Sequence, residues 1–167
     1  MPPDPATECA SHEMAVLYAV SQALMRRQEI SGLLQDVLDV LDREKRMTNG
    51  CRTLRKPDSD VFAIEASRGL TREEVCRGTY SPGEGITGTV AATGRPLVVP
   101  DISRDPRFLN RTRARTGKKS AFLCVPIIHR GRVVGTMSVD CKNPSERDLQ
   151  ANLAFLMLLA NLLAEAV

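Results

Sequence analysis

Apolar residues recur at helical spacing near the start of the chain. Met14, Leu17, Val20 and Leu24 share one face of a segment that runs from Ser11, an N-cap residue type, to about Arg27. A second helix is predicted from Ser31, with Leu34, Val37, Leu38 and Leu41 as its stripe. Thr48-Asn49-Gly50 then reads as punctuation before a strand from Cys51 to Arg55. Pro57-Asp58-Ser59-Asp60 has the residue types of a turn, and Val61 to Ser67 completes a hairpin. Thr71 with Glu74 forms a capping-box pattern for one short helical turn, and Cys76 to Tyr80 reads as a short strand.

Ser81-Pro82-Gly83-Glu84-Gly85 is a loop, and Ile86 to Thr93 a short helix stopped by Gly94. Leu97-Val98-Val99 is a brief strand, whereas residues 101–119 are polar, basic and irregular. The clearest β signal follows: Phe122 to His129 and Arg132 to Asp140 are joined by a tight Arg130-Gly131 turn. A long helix closes the chain from about Ser145. Strands linked by hairpins and irregular segments predict an α+β domain, a central antiparallel sheet with helices on its faces. Residues 1–10 read as a flexible lead-in, and residues 11–167 as one domain.

The last helix carries two apolar lines. Leu149, Leu153, Leu156, Ala160, Leu163 and Val167 alternate in spacings of four and three, the seam of a coiled coil; Phe155, Leu159 and Leu162 form the second line. Two lines need two partners. The sheet covers one, and either the first helix or the same helix of a second subunit covers the other. The helix reaches Val167 with no Gly or Asn cap and no Pro stop, which predicts that it continues into a following domain.

Composition narrows the function classes. Trp is absent and aromatics are 4% of the chain, which argues against a stacking platform for single-stranded nucleic acid. Twenty acidic residues offset 23 basic ones, so the net charge of +3 indicates neither DNA nor membrane binding. The five cysteines form no CxxC pair, and neither histidine stands at metal-ligand spacing from a cysteine; a reducing cytoplasm is the expected compartment. The stretch Leu153 to Leu163 is too short to span a bilayer. No Ser-His-Asp or paired-carboxylate site can be assembled, no metal site is assigned, and the chain holds no GxxxxGK[ST] phosphate loop.

One ordered set of motifs does carry specific information. Tyr80 through Gly88 (YSPGEGITG) is followed by Val90, by Thr93-Gly94-Arg95-Pro96, by Val98-Val99-Pro100-Asp101 and by Asp105-Pro106-Arg107-Phe108. Ser120 through Ile127 (SAFLCVPI), Gly131, Gly135 and Val139-Asp140 complete it. The set resembles the GAF-domain signature over roughly residues 12–167, and within that family the N-terminal sensor of nitrogen-fixation activators that work with sigma-54 RNA polymerase. Gly83, Gly85 and Gly88 mimic a dinucleotide fingerprint, but no parallel βαβ unit surrounds them; backbone geometry is favoured over phosphate contact.

The resemblance implies a non-catalytic sensory domain. Its terminal helices should lie on one sheet face and a pocket of loop and short helix on the other, roofed by the basic segment with Arg104, Arg107, Arg111, Arg113, Arg115, Lys118 and Lys119. The implied pocket residues are Ile86, Thr87, Arg107, Phe108, Arg113, Arg115, Ser120 and Phe122. A basic roof suits an anionic effector, 2-oxoglutarate or a nucleotide; a merely solvated loop is the other reading. Cys141-Lys142-Asn143 departs from the pattern of cyclic-nucleotide members, and no bilin-attachment cysteine or haem ligand matches, so no cofactor is assigned. Family analogy also implies a homodimer through Leu17, Leu24, Leu149, Leu153, Leu156, Ala160 and Leu163, with a downstream ATPase domain as the recipient of the signal. Two rivals remain: a thiol enzyme of the free methionine sulfoxide reductase type, and a dimerisation scaffold with a collapsed pocket.

Overall fold

Segments rich in Ala, Glu and Leu favour helix at the start of the chain. The computed structural model, which describes residues 5–25, 30–115 and 119–165, places α1 over Pro5–Met25 and α2 over Ile30–Lys45. α1 therefore begins before Ser11. Pro5 opens it, where a missing N–H costs no hydrogen bond, so residues 5–10 join the helix instead of preceding it. The expected end near Arg27 lies outside the described residues. The order continues with β1 (Met47–Arg55), β2 (Phe62–Ser67), α3 (Arg72–Arg77), β3 (Thr79–Tyr80), α4 (Gly85–Thr93), β4 (Leu97–Val99), β5 (Ala121–His129), β6 (Arg132–Cys141) and α5 (Glu146–Ala164).

The six strands form one antiparallel sheet in the order β3-β2-β1-β6-β5-β4. Thr48-Asn49-Gly50 lies inside β1, not before it: pairing with β6 passes through them by a bulge between Thr48 and Cys51. Asn49 takes a left-handed φ of 50° there. Gly50 has no side chain to spare, since a Cβ would come within 2.7 Å of Leu38 on α2. Cys76, expected on a strand, belongs to α3, whose Thr71–Glu74 capping box is present as predicted. The β5–β6 turn is the predicted one; Arg130 and Gly131 both have positive φ, 49° and 77°, which matches the twist of the strands.

Period-two alternation divides the sheet into two faces. Leu123, Val125 and Ile127 of β5 with Met137 and Val139 of β6 meet α1, α2 and α5 in the larger core. All four stripe residues of α2, Leu34, Val37, Leu38 and Leu41, are buried there. Each such side chain stabilises the fold by about 1.5–3 kcal/mol. On α1 the inward residues are Val16 and Val20, with Leu17 partly buried, while Met14 is 65% exposed, contrary to the predicted stripe.

α5 meets one of the two partners that the sequence left open for it, the first helix, as well as the sheet. It lies on β5 and against α1. Leu149, Leu156, Ala160 and Leu163 are buried within this one chain, as are Phe155 and Leu159 of the second line, and Leu153 packs on the same core. The apolar arc is wide enough to meet sheet and α1 together, so the buried side chains among them are covered within this chain, while Leu153 and Leu17 are partly buried. The side chain of Leu24 and residue Val167 lie outside the described residues. Among the described residues, the large apolar side chains that α1 and α5 expose are Met14, Tyr18, Met25 and Leu158.

Candidate functional site

The opposite face of the sheet is polar at its centre. β1 contributes Cys51 and Thr53, β5 contributes Phe122 and Cys124, and β6 contributes Thr136, Ser138 and Asp140; Cys51 and Cys124 both stand opposite Ser138, Thr53 opposite Thr136, and Phe122 opposite Asp140. The hydroxyls of Thr53 and Thr136 share a 2.7 Å hydrogen bond. α4 packs over this face with Ile86, Thr87 and Val90 buried. The loop that feeds α4 folds tightly against the helix because residue 88 is glycine: a Cβ there would lie 2.2 Å from the Ser81 carbonyl oxygen. Val90, Val99, Ile102, Phe122 and Cys124 form a second, smaller core beneath it.

Residues 101–115 cross the face as an irregular cover held by three arginines. Arg77 of α3 donates to the Thr112 carbonyl from Nε and Nη2, at 3.2 and 2.8 Å. Arg111 pairs with Glu84, whose carboxyl is held below its usual range by the Ser81 backbone N–H and then by Arg111. Arg115 turns inward. Its Nε and Nη2 donate to the carboxylate of Asp140 at 2.9–3.2 Å, and Nη1 reaches Thr112 Oγ1 at 3.3 Å. Asn49 Nδ2 donates to the same carboxylate at 2.6 Å. The side chains of both partners are nearly enclosed, 12% and 4% exposed. Burial opposes the charge of Arg115, yet Asp140 keeps it protonated. Asn110 fixes the bend, donating to the Arg115 carbonyl at 2.8 Å and accepting its N–H at 3.2 Å. The guanidinium carbon lies 5.4 Å from the ring centres of both Phe108 and Phe122, and those rings meet edge to face.

The cavity left between sheet, α4 and cover is about 30 Å³, room for water and far below the roughly 300 Å³ at which small-molecule pockets begin. Of the eight residues expected around it, Ile86, Thr87, Phe108, Arg115 and Phe122 line it. Arg107 does not: it is half exposed and bound to its neighbour Asp105, because the Asp-Pro-Arg turn folds it back locally. Arg113 points to solvent from a left-handed turn at φ 62°. Ser120 borders a separate open groove between β4 and the start of α5, and its hydroxyl donates to the Cys141 carbonyl. Lys118 lies outside the described residues.

Sequence reasoning assigned no role to Asp140, Asn110, Cys51 or Tyr80, all of which bear on the cavity or its closure. The available signal was Asp140 itself, a lone carboxylate in a Val-rich strand. Three of the described thiols are buried. Burial pushes Cys51 and Cys124 up to about 12 and Cys141 to about 11, whereas Cys76 is exposed. Burial likewise raises Tyr80 to about 12. Among the described residues, no three His, Cys, Asp or Glu side chains are grouped to hold a metal ion. His12 is exposed, and His129 is half-buried, its Nδ1 enclosed without a partner. No described helix is long and apolar enough to cross a membrane.

Comparison with known proteins fits this architecture. The chain is 36% identical over 162 residues to nitrogen fixation protein AnfA of Azotobacter vinelandii, covering 96% of this chain and 30% of AnfA. It is 34% identical over 164 residues to VnfA of the same organism, covering 96% of this chain and 31% of VnfA. It thus spans about a third of the length of these relatives. Among solved structures, the GAF domain of A. aeolicus Nlh2 in an inactive state superposes with a TM-score of 0.79 at 24% identity, over 93% of this chain and 95% of that one. The free methionine-R-sulfoxide reductase of Neisseria meningitidis, in complex with its substrate, has a TM-score of 0.72 at 17% identity, over 99% of this chain and 94% of its own. The GAF family model matches residues 13–167, and the chain is a member of the GAF-domain family.

Proposed function

We propose that this domain is the sensory regulatory unit of a nitrogen-fixation type transcriptional activator. It receives a small effector under the cover and passes its state along α5 to a downstream sigma-54-interacting ATPase in the cytoplasm. One observation carries the reading: the buried Arg115–Asp140 pair ties the cover to the end of β6, from which the chain runs directly into the Ser145 cap of α5. A ligand that breaks this pair changes both the cover and the strand that aims α5, which is the differential contact a two-state signal requires. The kinship with AnfA and VnfA supports the regulatory context.

Two charge classes of effector fit an exchange at this pair. An anion such as 2-oxoglutarate or a nucleotide takes Arg115 from Asp140; a cation takes Asp140 from Arg115. Homodimerisation through the terminal helices would draw on the exposed Met14, Tyr18, Met25 and Leu158 together with the partly buried Leu17 and Leu153.

Native mass spectrometry of the purified domain, followed by calorimetric titration with a panel of charged metabolites, tests the sensor reading. A retained or titratable small molecule supports it. The filled cavity favours one rival, a scaffold without ligand, and an empty domain indifferent to the whole panel would establish that rival. Reduction of free methionine sulfoxide at the expense of a thiol would establish the enzyme instead. The buried, protonated state of Cys51, Cys124 and Cys141 speaks against it.

A further inference from the structure

The seat of the Arg115 guanidinium is assembled from parts that recognise a cation. Asp140 supplies a carboxylate 3% exposed, already oriented by Asn49. Phe108 and Phe122 present rings at equal distance, 5.4 Å, from the guanidinium carbon. Thr112 adds a hydroxyl acceptor at 3.3 Å. A buried carboxylate with two aromatic rings is a favourable environment for a planar or compact organic cation.

What differs between the partners is how each is held. Asp140 stands on β6, paired on one side to β1 and on the other to β5, in the middle of the sheet. Arg115 stands on the irregular cover, held by a loop that Asn110 closes. When the pair opens, the carboxylate stays and the guanidinium leaves. Among the described residues, the other cation that lines the cavity, Arg111, is paired with Glu84. The vacated seat therefore presents a fixed, buried carboxylate, beside which an incoming anion would have to settle. Like charges in such a site repel strongly.

We infer that the site under the cover is a receptor for a small organic cation, a guanidinium or primary ammonium compound, and that Arg115 is its resident stand-in. The inference rests on the sensory reading for its biological meaning but not for its chemistry. The effector displaces Arg115 from Asp140 and occupies the space of its side chain together with the adjoining 30 Å³ cavity. Because the stand-in is tethered, it competes at an effective concentration of about millimolar, so the wild-type domain responds only to abundant ligand.

The test compares wild type, Arg115→Met, which keeps the apolar stem, and Arg115→Met/Asp140→Asn. Methylguanidinium, agmatine and 2-oxoglutarate at low millimolar concentration are titrated by calorimetry and by thermal shift. The expected result is that R115M binds methylguanidinium or agmatine at least about ten-fold tighter than wild type does, as removal of a tethered competitor requires, and that the double variant loses this binding. A folded R115M that binds neither cation overturns the inference. So does 2-oxoglutarate binding to wild type that R115M abolishes, which would leave the sensory reading standing with an anionic effector. Should R115M fail to fold, wild type and D140N carry the same test: a thermal shift with millimolar agmatine in wild type that D140N lacks supports the site, and equal behaviour overturns it. Cation binding to wild type with no change in amide exchange along α5 supports the site while removing the sensory reading.

Discussion

Arg115 and Asp140 meet through three hydrogen bonds of 2.9–3.2 Å across 25 residues of sequence, one on an irregular cover and the other on a central strand. This pair closes the cavity, stacks the guanidinium against Phe108 and Phe122, and fixes where the cover lands. Buried pairs of this kind contribute little against a well-packed apolar substitute, yet breaking one from a single side leaves an uncompensated charge. That asymmetry means that taking away either partner alone is what disturbs the site.

Removal of one partner should be costly and removal of both much less so. Arg115→Ala is expected to lower unfolding stability by about 3–5 kcal/mol. A double change to Arg115→Met and Asp140→Leu should lose less than the sum of the two single variants. Urea denaturation of the four proteins, taken as a double-mutant cycle, checks the coupling.

The inward orientation of α5 distinguishes neighbouring leucines. Leu156 is fully buried, so Leu156→Ala should cost about 2–5 kcal/mol, whereas Leu158 is half exposed and Leu158→Ala should stay within about 0.5 kcal/mol in the monomer. If the exposed Met14, Tyr18, Met25 and Leu158 pair two copies, Leu158→Ala also weakens self-association in sedimentation equilibrium, while leaving the monomer's chemical denaturation unchanged.

Ser145 caps α5 by accepting the Asp148 backbone N–H at 3.1 Å, and Asp148 returns a bond to the Ser145 N–H. Ser145→Ala should cost about 1 kcal/mol. Because this cap sits where β6 hands over to α5, amide exchange in the first turn of the helix should accelerate in the same variant.

The buried thiols give a pH dependence of definite sign. Their folded-state pKa values, about 12 for Cys51 and Cys124 and about 11 for Cys141, lie above the ordinary 9.0. The unfolded chain therefore loses these protons first as pH rises, and their contribution to stability is complete below about pH 9 and falls away above it. Melting temperature should decline from pH 9 towards 11, and Cys124→Ala should flatten the decline. At neutral pH a thiol reagent should label Cys76 readily and these three slowly.

Much of this architecture was legible in the residues. The Val-rich strands around Arg130-Gly131, the Thr71–Glu74 box and the Gly94 stop each combine a local preference with the global fold, so local reasoning reached them. The bulge at Asn49-Gly50 was not legible, because those residues look like a turn until β6 and α2 are in place to demand a kink and a bare backbone. Arg107 and Arg115 illustrate the limit at the site. Both are arginines of one basic segment, yet Asp105 holds the first at the surface and Asp140 draws the second inside. Nothing in the spacing distinguishes them, since the partner that matters for Arg115 lies on a distant strand. The two apolar lines of α5 were seen, but their occupants were decided by how α1 and the sheet converge on it.

The central claim is that the state of the cover reaches α5 through the Arg115–Asp140 pair. Hydrogen–deuterium exchange of wild type against Arg115→Gln measures this directly. The account predicts faster exchange both in the cover, residues 101–115, and across the β6–α5 junction from Asp140 to Leu149, with the β1–β2 hairpin turn at Pro57–Asp60 unchanged. Acceleration confined to the cover, with the junction as protected as in wild type, would contradict it.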